Sequence, residues 1–240
     1  MSEKKILITG ASRGLGLAIS NILSDDYTLI LHATREESFS AVNPKHHLLC
    51  ADLSDTTQLN EFCKRLKKEH GDSLYGVINN AGITFDKPLL YQPENEIDRL
   101  LQVNLKAPIM ICKVVMKQFL LNKRGVIINV SSCVGETGNA FQVVYSATKA
   151  GLAALSKSLA REVSALNEEH DIRILSIAPG FIETDMTDKI PENYRQEYLK
   201  AIPSNRFGKV NEVAEVVAFL LSDKASYING TNININGGIL

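Results

Sequence analysis

Apolar and polar positions recur along this chain with two periods. Short apolar runs rich in β-branched residues read as strands at 4–9, 28–32, 47–51, 77–82, 126–130, 173–178 and 232–235. Between them, apolar residues three and four apart mark helices at 17–23, 56–69, 94–119, 145–166 and 210–221. In 56–69, for example, Leu59, Phe62, Cys63 and Leu66 fall on one side and lysines on the other. Strand and helix alternate throughout, without internal repeat, low-complexity tract or linker. This order predicts a single α/β domain over 1–240, a doubly wound Rossmann-type parallel sheet of about seven strands with helices on both faces. Ligand is then expected in the crevice at the strand C-termini. Two stretches break the pattern. Residues 38–45, with Pro44, read as an irregular connection. Residues 184–203, interrupted by Pro191 and Pro203, read as an insertion over the strand ends, a substrate lid.

Composition narrows the classes. The chain has 240 residues, 45% of them hydrophobic, enough for a large core. With 26 basic and 27 acidic residues the formal net charge is -1, which gives no sign of nucleic-acid binding. No apolar run nears the ~18 residues of a membrane span, and the start is too short for a signal peptide. Cys50, Cys63, Cys112 and Cys133 form no Cys-x-x-Cys pair and are expected as reduced, mostly buried thiols of a cytoplasmic protein. The histidines, including the His46-His47 pair, lack the spacing of a metal site. Asn129-Val-Ser131 and Asn229-Gly-Thr231 match the glycosylation pattern but carry no meaning without export.

The candidate chemistry lies at the strand ends. After the first strand comes Gly10-Ala11-Ser12-Arg13-Gly14-Leu15-Gly16, leading into a helix. Small residues let the backbone approach a pyrophosphate, and the helix start offers free N–H groups and a positive dipole end. The second strand ends in His32-Ala-Thr34-Arg35. A dinucleotide without a 2′-phosphate usually meets an acidic residue there, about 20 residues past the turn. Here Thr34 and Arg35 come first, and Arg13 lies in the turn, so NADP(H) is expected over NAD, although Glu36 and Glu37 follow closely. Asp52-Leu53 at the third strand end would face the adenine. Asn80-Ala81-Gly82, a small-residue turn after Asn79, would let the cofactor cross the fourth strand tip.

The stretch from Asn129 to Gly151 carries the reactive groups. Ser132 ends the fifth strand, and Tyr145 and Lys149 open the long helix, four apart and so on one face. A tyrosine titrating near ~10 is a poor acid–base catalyst at neutral pH, and a lysine ammonium nearby lowers that value. Two charges ~4 Å apart at an effective dielectric of ~20 interact by about 4 kcal/mol, a ceiling of roughly three pKa units. Asn104 lies in an apolar helical setting, where it either braces the core or holds a water.

Together these residues resemble the short-chain dehydrogenase/reductase family from end to end. The family's glycine pattern falls on Thr9-Gly10 to Gly16 and its Asn-Asn-Ala-Gly motif on 79–82. Its catalytic asparagine, serine, tyrosine and lysine fall on Asn104, Ser132, Tyr145 and Lys149. Its Pro-Gly and Ile-x-Thr fall on Pro179, Gly180, Ile182 and Thr184. Within the family the likeness is to bacterial 3-oxoacyl-(acyl-carrier-protein) reductases, through Ala-Pro-Gly-Phe-Ile-Glu-Thr-Asp-Met at 178–186 and Ser-Leu-Ala-Arg-Glu-Val at 158–163. The short connection between strands two and three, and Asp25-Asp26-Tyr27, depart from the usual pattern.

The resemblance implies reduction of the β-carbonyl of an acyl thioester with NADPH, in fatty acid synthesis. Tyr145 would donate the proton, Ser132 would hold the oxygen, and Lys149 would tune Tyr145 and bind the nicotinamide ribose. Asn104 would position a water, and Ile182 and Thr184 would meet the carboxamide. It also implies a homotetramer, with the Tyr145 helix and C-terminal strand at interfaces. For a substrate carried on acyl-carrier protein, Lys123, Arg124, Lys157 and Arg161 offer either a basic docking face or plain solvated charge. The alternatives are the same chemistry on an acyl-CoA, sugar, polyol or steroid, or a cofactor-binding regulator without turnover.

Overall fold

The structure, a computed structural model, describes residues 4–40, 42–166, 170–184, 187 and 192–239. Seven strands, β1 (Lys5–Ile8), β2 (Thr28–Leu31), β3 (His47–Leu48), β4 (Leu74–Asn79), β5 (Arg124–Val130), β6 (Asp171–Pro179) and β7 (Asn232–Ile235), form one sheet in the order β3-β2-β1-β4-β5-β6-β7. Every pairing is parallel. The helices are α1 (Gly14–Leu23), α2 (Thr56–Arg65), α3 (Glu94–Leu101), α4 (Ala107–Asn122), a short α5 (Val134–Thr137), α6 (Val143–Leu166), α7 (Glu192–Ala201) and α8 (Val210–Leu221).

The central strands are buried nearly throughout, and mostly apolar, because both faces of the sheet are covered. Ile6, Ile8 and Ile128 point to one face, where Ile19 of α1 and Val213 and Val217 of α8 pack on them. Leu7, Val77 and Ile127 point to the other, against Phe62 of α2, Ile111 and Phe119 of α4 and Val163 of α6. The period of two within each strand thus splits the interior into two cores. The chain winds outward from β1 to β3, then crosses back to β4 on the other side of β1. At that reversal the connections after β1 and β4 part and leave a crevice at the C-terminal edge.

Some boundaries differ from the sequence expectation. The helix expected over 94–119 is interrupted: a π-turn, Gln102–Lys106, joins α3 to α4. A second π-turn, Leu66–His70, extends α2. One inserted residue barely disturbs a side-chain period, so neither turn is visible in the pattern. β3 pairs over two residues only, yet Leu49 N–H donates to Leu31 O (3.1 Å) and Ala51 N–H to Ala33 O (3.1 Å), which keeps the chain aligned as far as Ala51. Asp55 caps α2, accepting from Thr57 N–H (2.7 Å) and Gln58 N–H (3.0 Å). α8 and β7 match their expected bounds. The four cysteines are free, three of them buried. Asn129 is fully buried, so its glycosylation pattern is inaccessible. Among the described residues no helix is long and apolar enough to cross a membrane, and no cluster fits a metal ion.

Candidate active site

The glycine turn is a braced structure. Thr9 Oγ1 accepts from Asn80 N–H and Ala81 N–H, both at 3.0 Å. The Asn80 carboxamide donates to Thr9 O (2.9 Å) and Gly10 O (3.1 Å). Asn80 therefore holds the turn in place instead of presenting its side chain to the crevice. Ala11 is buried and donates to His32 O (2.8 Å). Gly14 has φ +52, a backbone that favours glycine, and a Cβ there would lie 3.9 Å from Thr184. Gly16 packs so closely on Gly10 O that a side chain would collide with it. Arg13 is extended and no side chain caps α1, so the first N–H groups of the helix, next to Ser12 and Leu15, are left for another acceptor. These features fit a pyrophosphate.

At the adenine end, Thr34 and Arg35 are exposed, as is Arg13. Among the described residues neither arginine makes a salt bridge. The Asp52 carboxylate accepts from Ser54 N–H (2.9 Å) and Ser54 Oγ (2.7 Å). That hydrogen bonding holds its pKa below the usual value, with smaller contributions from Arg99 and Arg35. Leu53 is buried beside it.

The reactive groups converge at the ends of β4 and β5. Ser132 follows β5, with its hydroxyl beside the Tyr145 phenol. Lys149 is buried and its Nζ donates to Val130 O (2.8 Å), 5.5 Å from the centre of the Tyr145 ring. A Cβ on Gly82 would lie 3.5 Å from both Lys149 Nζ and Asn104 Oδ1, which places the turn after β4 against the same groups. Asn104, in the π-turn, is fully committed: it accepts from Ile83 N–H (2.9 Å) and donates to Ile83 O (2.8 Å). Of its two expected uses the structure displays the brace. Ser131 Oγ donates to Lys149 O (2.7 Å) and Thr148 Oγ1 to Tyr145 O (2.7 Å), fixing the first turns of α6.

One expectation is reversed. Burial pushes the Tyr145 phenol up to about 12, against the neighbouring Ser132 hydroxyl, which pulls it down. Burial also drops Lys149 to about 8. The lysine lies on the ring side and bonds a carbonyl, so desolvation of the phenolate outweighs its attraction. In this arrangement Tyr145 is a neutral hydrogen-bond donor, an acid poised beside Ser132, and Lys149 is a cation close to its own titration.

The third wall is the segment after β6. Gly180 N–H donates to Ile235 O (3.0 Å), holding the Pro179-Gly180 bend to β7. Ile182 pairs with Gly208, and Thr184 N–H donates to Thr187 Oγ1 (2.9 Å). Residues 185–186 and 188–191 of the expected lid, including Met186 and Ile190, lie outside the described residues, as does the Tyr194 side chain; 192–201 form α7.

Two expected features do not join the site. Arg124 begins β5, at the end of the sheet opposite Ser132, and is engaged with Asp171 (3.6 Å), Asp223 (3.2 Å) and the Tyr75 ring (4.8 Å). Lys123, its neighbour, lies at that same end, because a seven-residue strand separates the start of β5 from the crevice. Conversely, His32 was not singled out from sequence. Its Nδ1 accepts from Gly10 N–H (3.1 Å) and its Nε2 donates to Ala51 O (3.0 Å), tying the glycine turn to the third strand end. Its only sequence signal is its place at a strand terminus. Arg206 and Glu212 were missed as well, although a glutamate two residues into a helix is a capping signature.

Comparison with known proteins agrees with this geometry. A family model described as Enoyl-(Acyl carrier protein) reductase matches residues 10–240. The 3-oxoacyl-(acyl-carrier-protein) reductase FabG of Thermotoga maritima is 36% identical over 248 residues, covering 100% of this chain and 99% of that protein. The protein of the same name from Staphylococcus aureus is 38% identical over 245 residues, with 98% of each chain covered. That from Salmonella typhimurium is 38% identical over 244 residues, covering 99% and 98%. The chain belongs to the short-chain dehydrogenase/reductase family of oxidoreductases.

Proposed function

We propose that this chain reduces the β-carbonyl of a 3-oxoacyl thioester, carried on acyl-carrier protein, to the 3-hydroxyacyl thioester in fatty acid synthesis. The observation that carries this reading is the Ser132–Tyr145 hydroxyl pair with Lys149 Nζ beneath the ring. The full-length likeness to proteins named for this activity supports it. NADP(H) is the cofactor: its phosphates fit the turn from Gly10 to Gly16 and the exposed cations Arg13 and Arg35. Asp52 and Leu53 wall the adenine end, and Ala81 and Gly82 leave room at the tip of β4. When bound, its nicotinamide supplies the hydride that forms the new C–H bond.

The chain's own residues do the rest. Two hydroxyls converge on one substrate oxygen, Ser132 as a fixed hydrogen-bond partner and Tyr145 as proton donor. A phenol with pKa about 12 yields its proton only as negative charge develops on that oxygen, which suits an acid that must stay loaded at neutral pH. The Lys149 ammonium then offsets the phenolate and holds the nicotinamide ribose. Asn104 keeps Ile83 and the turn after β4 in position. Ile182 and Thr184 meet the carboxamide, and 184–203 close over the substrate as a lid on a single 1–240 unit.

The protein works in the cytoplasm as a homotetramer. In support, a groove of about 560 Å³ runs between α4 and α6, with Ile109, Leu121 and Leu166 apolar and exposed along it. β7 also ends the sheet with a free edge. Reduction of an enoyl thioester is the second reading, favoured by the description of the matching family model. Tyr145→Phe tests the first: acetoacetyl-thioester turnover should fall by roughly 10²–10⁴ while NADPH affinity is kept. Activity retained in the purified variant would remove Tyr145 from its role.

A further inference from the structure

We propose that Arg206 and Glu212 form a clamp that sets the position of residues 181–184, and through them the nicotinamide end of the bound cofactor. This rests on the dinucleotide reading above, but not on the identity of the substrate.

In the segment 181–184, Ile182 packs at the edge of the core, and Phe181 stacks on Tyr198 and on Phe207, the residue before Gly208 (ring centres 4.2 and 5.5 Å apart). A cavity of about 290 Å³, lined by Phe181, Ile182, Arg206, Glu212 and Asn236 among others, lies beside it. The segment's backbone is held by Thr187 Oγ1, which donates to Ile182 O (2.7 Å), and by a short ladder to Gly208. Gly208 N–H donates to Phe181 O (2.9 Å), Glu183 N–H donates to Gly208 O (2.9 Å), and Ile182 pairs with Gly208 between them. A Cβ on Gly208 would lie 2.8 Å from Ile182 Cδ1, so the two strands of the ladder are in full contact. A shift of Gly208 would therefore carry Ile182 and Thr184 with it.

Gly208 is in turn set by the charged pair on either side of it in sequence. Arg206 grips Glu212 with both ends of its guanidinium, Nη1 to Oε2 (2.8 Å) and Nη2 to Oε1 (2.7 Å). The same Nη1 donates to Phe207 O (3.1 Å). Glu212 Oε2 also accepts from Lys209 N–H (2.7 Å), capping α8. The turn 206–209 is thus closed over Gly208 from both sides and anchored to a helix that packs on the core through Val213 and Val217. Bidentate geometry fixes orientation as well as distance, which a single lysine contact would not. The segment's far end reaches Gly14 at the α1 N-terminus, where Thr184 Cγ2 lies 3.9 Å from the Cβ position. A shift of the ladder would move the carboxamide wall relative to the pyrophosphate turn without touching that turn. Arg206 and Glu212 are positioning residues: they act through Gly208 and touch neither cofactor nor substrate.

The test compares two ligands by fluorescence and calorimetry, on the full chain, with no substrate present. NADPH carries the nicotinamide; 2′-phospho-ADP-ribose has the same adenine, phosphates and 2′-phosphate but lacks it. Arg206→Gln and Glu212→Gln, the latter retaining an oxygen to cap α8, should each weaken NADPH about three- to tenfold and leave 2′-phospho-ADP-ribose unchanged. The double variant should be no weaker than either single one, because the two residues act as a unit. Gly208→Ala, which presses on Ile182 directly, should give the same split. A role confined to the stability of α8 would lower Tm without splitting the ligands. Equal weakening of both ligands, or no change in either, would overturn the clamp alone. A wild-type protein that binds neither ligand would overturn the dinucleotide reading and the clamp with it.

Discussion

At the scale of the residue, Lys149 shows how the site is made at a cost to stability. Burial brings its pKa from an ordinary 10.5 to about 8, which at about 1.36 kcal/mol per unit is a penalty of roughly 3 kcal/mol at neutral pH. The single bond to Val130 O offsets about 1–2 kcal/mol of it. Lys149→Met should therefore abolish turnover while raising stability by about 1 kcal/mol, or Tm by about 2–4 °C. The sign has a pH signature. Between about 8 and 10.5 the unfolded chain holds a proton that the folded chain has released, so wild-type stability rises with pH there and the gain of the variant shrinks. Denaturant titration at pH 7 and pH 9.5 checks both parts; a variant less stable at pH 7 would contradict the assignment. The spacing of Tyr145 and Lys149 was legible in the sequence, and so was their common helix face. The direction of the phenol's pKa was not, because it depends on how deeply the ring is desolvated and on Lys149 bonding a carbonyl, neither of which a spacing contains.

At the scale of the element, the glycine turn is held by residues just past three strand ends: Thr9 after β1, His32 after β2 and Asn80 after β4. His32 and His70 are both buried and held neutral, each with a pKa pushed down to about 4, chiefly by burial. The unfolded chain takes up these protons near 6.5, so their contribution to stability is complete above that pH and is lost as pH falls towards 4. Thermal unfolding should show Tm dropping across that window. His32→Gln, which supplies an acceptor for Gly10 N–H and a donor for Ala51 O, should make that slope shallower. An unchanged slope would mean His32 is not one of the titrating groups. Elements with a clear period, such as α8 and β7, were readable from the chain to the residue. The π-turn at Asn104 was not, since a one-residue insertion leaves the apolar face of α3 and α4 nearly continuous. The committed carboxamide of Asn104 is the local reason for it: the turn presents that side chain to Ile83, where a regular helix would rotate it away.

At the scale of the molecule, every strand points its C-terminal end at one crevice, and the groups assigned to cofactor and carbonyl line it. Strand and helix order made that crevice predictable. What the order could not show is which end of the sheet a given surface charge occupies: Arg124 looked available for a carrier protein, yet it starts its strand and is bound to Asp171 and Asp223. The exposed apolar face of α4 and α6 belongs to the same scale. If it seats a second copy, charges placed in it should dissociate the assembly. Leu121→Glu and Leu166→Glu should lower the mass seen by light scattering, whereas an unchanged mass would place the interface elsewhere.

The central claim is the reaction itself. Its most direct test is the loss of NADPH absorbance with acetoacetyl-(acyl-carrier-protein), run beside NADH and beside a crotonyl thioester. Turnover is expected with NADPH and the 3-oxo substrate, with little from NADH and little from the crotonyl thioester. Consumption of NADPH with the crotonyl thioester alone, or of neither substrate while the cofactor binds, would contradict it.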